Sequence, residues 1–122
     1  MSRSDHLRIA ADPATGVVAL AGELTFVTVH AFDDLLRAHL PQHPDLVLDV
    51  RAVTTCDSAG LSALLGTARR ADLLEGGVTL LGVRPPLARM LRLTGVEPLF
   101  SFRDADSDEA APPAFEGRGE PA

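Results

Sequence analysis

The 122-residue chain carries a net charge of −6, and 46% of its residues are hydrophobic but only 4% aromatic. That length suits one domain burying roughly two-thirds of its unfolded surface, and the apolar share excludes a disordered chain. The acidity repels phosphate backbones and the aromatic scarcity leaves no base-stacking platform, so nucleic-acid binding is not expected.

The core must be built from Leu, Val and Ala, because Trp and Tyr are absent. Every basic side chain is Arg; there is no Lys. A single cysteine, Cys56, forms no internal disulfide, which points to a reducing compartment. The first residues, "MSRSDHLRIAADP", read as no signal peptide, and no run reaches the ~20 apolar residues of a membrane helix. A cytoplasmic protein without a membrane partner is expected.

In chain order, "LRIAA" (7–11) and "VVALAGEL" (17–24) read as strands, with Asp12-Pro13 and Thr15-Gly16 turning the chain between them as a hairpin. From Thr28 to Leu40 the spacing of Phe32, Leu35, Leu36, His39 and Leu40 marks one face of a helix. Thr28 suits its N-cap, and Pro41 and Pro44 stop it. "DLVLDV" (45–50) is apolar enough for a central strand with a parallel neighbour.

After a short loop, "TTCDSAGLSALL" (55–66) opens a second helix with Leu61, Leu64, Leu65 and Ala68 as its stripe, closed by Gly76-Gly77. "VTLLGV" (78–83) reads as a strand, and Arg84-Pro85-Pro86 starts a third helix that Thr94-Gly95 closes. "PLFSF" (98–102) is a short last strand. Strands alternating with helices imply an α/β sheet with right-handed crossovers. The globular part is expected over 1–103, and the acidic, Pro-, Ala- and Gly-rich 104–122 as a disordered tail.

Asp57-Ser58 stands where the second helix begins, and two readings fit it. One residue caps the helix, since the first turn leaves N–H groups unsatisfied. Alternatively Ser58 is phosphorylated, placing roughly −1.5 to −2 charges at a helix end that tolerates an anion. Gly60, in the first turn, either lets another backbone approach or packs tightly against a loop.

No G-x-S-x-G elbow surrounds Ser58, so a hydrolase nucleophile is not expected. Asp49 in "PDLVLDV" resembles a receiver phosphoacceptor only superficially, because that chemistry needs a lysine the chain lacks; Asp49 reads as a strand-end residue. His39 and His43 share a metal-ligand spacing, but Pro41 breaks the helix between them. No metal, cofactor or catalytic residue is expected.

Three stretches together resemble one family. "CDSAGLSALL" is similar to the D-S-[ST/A]-G-L signature of the anti-sigma factor antagonists, the small STAS-domain proteins. "LAGEL" (20–24) resembles the G-E-[LI] that ends their second strand, and "LRLTGVEPLF" (91–100) resembles their L-x-x-T-G-[LV]-x-x-L-F stretch. The resemblance spans about residues 7–103. It implies a mixed sheet of four to five strands with helices mainly on one face.

The resemblance also implies partner switching. The unphosphorylated antagonist binds an anti-sigma factor that is a serine kinase, phosphorylation releases it, and a serine phosphatase restores it. Carried onto this chain, the phosphorylated residue is Ser58, and Asp57, Ser58, Ala59, Gly60, Leu61 and Thr25 form the partner-binding set. The family carries Asp after G-E-[LI], near the phosphorylation loop; Thr25 stands there, which leaves the efficiency of phosphorylation open. The second reading implied is a STAS adaptor subunit of a lipid-transport ABC system, whose members carry a similar D-[ST]-A-G-L stretch.

Overall fold

The computed structural model describes residues 6–104. All of the acidic tail beyond Asp104 lies outside them. The elements are β1 (Leu7–Ala11), β2 (Val17–Leu24), α1 (Val29–His39), β3 (Asp45–Cys56), α2 (Ser58–Leu73), β4 (Gly77–Leu81), α3 (Pro85–Leu93) and β5 (Ser101–Arg103). A 3₁₀ turn, Glu97–Leu99, precedes β5, so "PLFSF" is part turn and part strand rather than one strand.

The five strands form one mixed sheet in the order β1-β2-β3-β4-β5. β1 and β2 are antiparallel, and every later pair is parallel. Successive side chains alternate between sheet faces, so Val18 and Leu20, Leu46, Leu48 and Val50, and Val78 and Leu80 share one face. All seven are buried in one core with Phe32 and Leu36 of α1, Leu61, Leu64, Ala68 and Ala71 of α2, and Leu87 and Leu91 of α3. The three helices therefore cover the same face. Arg70 of α2 reaches Asp33 of α1 at 3.2 Å, which pins the two helices side by side.

β3 is twelve residues long, twice the strand expected over 45–50. The cause is in its pairing with β2. Ala19 faces Asp49 but Ala21 faces Ala52, and Gly22 faces Val53 but Glu23 faces Thr55. Each irregularity adds one residue to β3, and an extra residue moves every later side chain to the other face. The core positions consequently run Leu46, Leu48, Val50, then Val53, then half-buried Cys56. The alternation visible in the sequence breaks at the first bulge although the strand continues.

Asp49 is thus not at a strand end. It lies mid-strand on the face away from the helices, 3% exposed, and binds Arg51 across the first bulge. Its Oδ1 accepts from the Arg51 backbone N–H at 3.1 Å and from Nε at 3.0 Å, and its Oδ2 accepts from Nη2 at 2.6 Å. The buried carboxylate is satisfied in place by a paired guanidinium, as burial of a charge requires.

Two helix ends differ from expectation. Thr28 occupies the N-cap position of α1, but its hydroxyl makes no cap bond. It donates to the Glu23 carbonyl at 2.8 Å and accepts from the Thr25 N–H at 3.0 Å, stitching the β2–α1 turn instead. α2 stops at Leu73, and the left-handed residue after it is Glu75 (φ 63°), not a glycine. Gly76 serves close approach: a Cβ there would collide with the Pro44 carbonyl.

Candidate functional site

The carboxyl ends of β2 and β3 lie side by side, with Leu24 opposite Cys56. Each strand then leads into a helix, β2 through the turn 25–28 and β3 directly through Asp57. This junction gathers Thr25, Asp57 and Ser58, and it adds two residues that the sequence reading missed, Phe26 and Val27.

Asp57 is the N-cap of α2, with extended backbone (φ −102°, ψ −173°). Its Oδ1 accepts from the Gly60 N–H at 2.9 Å, and its Oδ2 accepts from the Phe26 N–H at 3.1 Å. One carboxylate therefore caps the helix and fastens the neighbouring loop. The bond to the Gly60 N–H is the largest influence holding the Asp57 carboxyl below its ordinary range; the bond to Phe26 adds to it. Asp57 is ionised at neutral pH.

Of the pair Asp57-Ser58, Asp57 is therefore the residue that caps, and Ser58 is the exposed first residue of α2. Ala59 is half-buried, whereas Gly60 and Leu61 are buried. A Cβ on Gly60 would collide with the Leu24 carbonyl and sit 3.0 Å from the Cys56 Sγ, so glycine is what lets α2 start against the end of β2. Leu61 packs in the core. Gly60 and Leu61, expected among the partner contacts, are both buried beneath the exposed Ser58.

Thr25 is half-buried, and its hydroxyl accepts from the Val27 N–H at 3.3 Å while its carbonyl receives the N–H groups of Thr28 and Val29. These bonds shape a tight turn whose tip is Phe26-Val27. Phe26 is 71% and Val27 54% exposed, and Asp57 holds Phe26 in position. Phe26 and Val27 thus form an exposed apolar pair at the tip of the β2–α1 turn. The sequence places the apolar pair Phe26-Val27 directly after the strand, but nothing in it shows that the pair is exposed.

Cys56 lies beneath Asp57. Burial first and the Asp57 charge second push its thiol up to about 11, so it is a protonated packing residue. His39 is half-buried, with Nε2 2.9 Å from the Gly16 carbonyl and its ring stacked on His43 at 4.6 Å between centroids. Among the described residues no group of His, Cys, Asp and Glu is arranged to hold a metal ion, and no helix is long and apolar enough to cross a membrane.

The family model described as "Mlab, STAS domain" matches residues 7–101. Among solved structures, an anti-sigma factor antagonist from Mycobacterium paratuberculosis is 27% identical, with a TM-score of 0.74 over 91% of this chain and 95% of that one. The phosphorylated form of the Bacillus cell fate determinant SpoIIAA is 20% identical, with a TM-score of 0.64 over 85% and 95%. An anti-sigma-factor antagonist (STAS) domain protein from Planctomyces limnophilus is 18% identical, with a TM-score of 0.65 over 85% and 93%. No curated protein matches the chain. With the helix-covered mixed sheet and the Asp57-Ser58 helix start already in place, the match over nearly all the described residues is decisive: the chain belongs to the STAS-domain family.

Proposed function

We propose that the protein is an anti-sigma factor antagonist that regulates transcription by partner switching. It is not an enzyme. In the unphosphorylated form it binds an anti-sigma factor serine kinase in the cytoplasm, and phosphorylation of Ser58 releases it until a serine phosphatase restores the hydroxyl. The observation that carries this reading is the exposed Ser58 at the start of α2, directly after the Asp57 that positions the apolar Phe26-Val27 tip. The likeness to the mycobacterial antagonist supports it.

The chemistry follows from this placement. An unmodified Ser58 and an apolar tip offer a surface with one neutral hydroxyl, which a partner covers at little desolvation cost. A phosphate on Ser58 would bring about two negative charges beside the Asp57 carboxylate, and both groups would compete for the same helix-end N–H groups. A dianion shut into an interface is penalised unless the partner pairs it. A penalty of ~3 kcal/mol weakens binding roughly 100-fold, enough for a switch.

One observation favours the second reading, the adaptor subunit of a lipid-transport ABC system. Thr25 supplies no carboxylate beside Ser58, so Asp57 is the acid of the junction and it is already engaged by two N–H groups. The test is incubation with ATP and the cognate anti-sigma kinase, then mass spectrometry of the tryptic peptide 52–69, which also holds Thr54, Thr55, Ser62 and Thr67. Phosphate on Ser58 is the expected result. An unmodified peptide, with co-purification of an ATPase and a permease, would replace the switch by the adaptor.

A further inference from the structure

We propose that the cleft at the carboxyl ends of β4 and β5 is a second docking surface, which seats a protein segment whose carboxylates flank an apolar side chain. The cleft, ≈ 750 Å³, is lined largely by the β4–α3 turn and the end of β5, and holds none of Thr25, Asp57 or Ser58. The Gly82 N–H donates to the Arg103 carbonyl at 3.0 Å, which ties the end of β5 to that turn. Arg84 and Arg103 thereby share one concavity, with the apolar Val83 and Pro85 and the 49% exposed Phe102 among its walls.

Charge identifies the occupant. The ion pairs among the described residues engage Glu23, Asp49 and Asp33, and none engages Arg84 or Arg103. Arg51, also on the wall, adds no net charge, because Asp49 holds it. The acid at the cleft is Asp104, one carboxylate against the two guanidiniums. α3 adds Arg89 and Arg92, both exposed. Residues 77–104 therefore carry four arginines against two carboxylates, whereas residues 6–76 carry five against nine. A basic surface on an acidic protein attracts an acidic segment that comes within a Debye length, about 8 Å at physiological salt.

Other occupants fit less well. Free phosphate is held by N–H groups at a helix start, and Pro85 and Pro86 remove two of them from α3. A small molecule needs walls that bury most of its surface, whereas Arg84, Phe102 and Arg103 are all exposed. An anionic membrane acts on the whole protein, whose charge of −6 it repels. A segment positioned by the rest of a partner is free of these limits. Its carboxylates meet Arg84 and Arg103, and its apolar side chain meets Phe102.

The test titrates the ¹⁵N-labelled full chain with the capped peptide Gly-Glu-Phe-Glu-Gly in low salt. The Arg84 and Arg103 Nε–H signals and the Phe102 amide are expected to move together and saturate with a Kd on the order of 1 mM, as two surface ion pairs and one apolar contact allow. The uncharged peptide Gly-Gln-Phe-Gln-Gly should bind at least ~3-fold more weakly. Arg84→Gln and Arg103→Gln should each weaken the charged peptide by about 2–5-fold. The Arg84 side chain makes no cap bond and it is the Arg103 backbone that binds Gly82, so both variants keep the fold, as unchanged amide dispersion elsewhere would verify. Arg37→Gln takes the same charge from α1 and should leave the affinity unchanged. Equal affinity for the two peptides, an equal loss in Arg37→Gln, or no movement at Arg84, Phe102 and Arg103 would overturn the proposal. So would inorganic phosphate or phosphatidylglycerol vesicles moving these signals at lower concentration than the peptide, which would make the cleft a site for free anions or for a membrane.

Discussion

Asp57 holds the backbone of Phe26, a residue 31 positions earlier, by a 3.1 Å hydrogen bond from the Phe26 N–H to its Oδ2. The same carboxylate caps α2 through Gly60 at 2.9 Å. The residue beside the candidate phosphorylation site therefore couples the start of α2 to an exposed apolar tip on another loop. Removing its side chain in Asp57→Ala should lower the melting temperature and speed amide exchange at Phe26 and Gly60 together. Asp57→Asn keeps one acceptor oxygen and puts an NH2 donor in place of the other, so it should still cap α2 through Gly60 but lose the protection at Phe26. Exchange that rises at Gly60 alone would show that the loop does not depend on Asp57.

The pH response of this tie has a definite sign. The Asp57 carboxyl lies below its ordinary value of 3.8, first because of the Gly60 N–H. A carboxylate lowered on folding contributes stability that is full above its unfolded value and is lost as pH falls through the folded one. The Phe26 and Gly60 amide shifts should therefore titrate together with a midpoint below 3.8 and stay flat from pH 5 to 8, as NMR would record.

Gly60 is required by close approach, not by its backbone angles. Gly60→Ala places a methyl against the Leu24 carbonyl, a fixed backbone atom, and should cost about 1–3 kcal/mol in denaturant unfolding. Gly77→Ala is the control, because a Cβ there meets nothing within 4 Å. Equal stability of the two variants would contradict the packing described for the α2 start.

Cys56 should behave as an inert thiol. With its value pushed up to about 11, the reactive thiolate is scarce at neutral pH. Modification by a thiol-specific disulfide reagent should be slow at pH 7 and accelerate steeply towards pH 10. Fast, pH-independent labelling of the native protein would overturn this.

The alternation of strands and helices was legible because its patterns are unbroken: the stripe through Phe32, Leu36 and Leu40 and the run Leu46-Leu48-Val50 all lie in the core. The second half of β3 was hidden because two bulges reverse the facing of its residues, so Val53 enters the core out of phase. Asp49 was misplaced for the same reason. At the junction, the motif drew attention to Ser58, but it did not show how its neighbours are placed. Leu61 reads as a motif residue and is core, and Phe26 reads as a loop residue and is the exposed tip. Which side a residue faces at a strand–helix junction depends on the long-range bond from Phe26 to Asp57, and nothing local to either stretch encodes that.

The tip makes its own claim on binding. Aromatic anchors commonly dominate interfaces, at 2 kcal/mol or more, about 30-fold in affinity. Phe26→Ala should weaken binding to the anti-sigma partner by about that factor while leaving the unfolding midpoint unchanged, since Phe26 is 71% exposed. Unchanged affinity would move the interface away from the β2–α1 turn.

The central claim is that the charge state of Ser58 decides whether the partner binds. The most direct measurement is the affinity of Ser58→Ala and Ser58→Glu for the anti-sigma kinase by calorimetry, at one salt concentration. Ser58→Ala is predicted to bind as the wild type does, and Ser58→Glu to bind at least ~10-fold more weakly, since a single charge supplies about half the penalty of a phosphate. Equal affinities would contradict the switch.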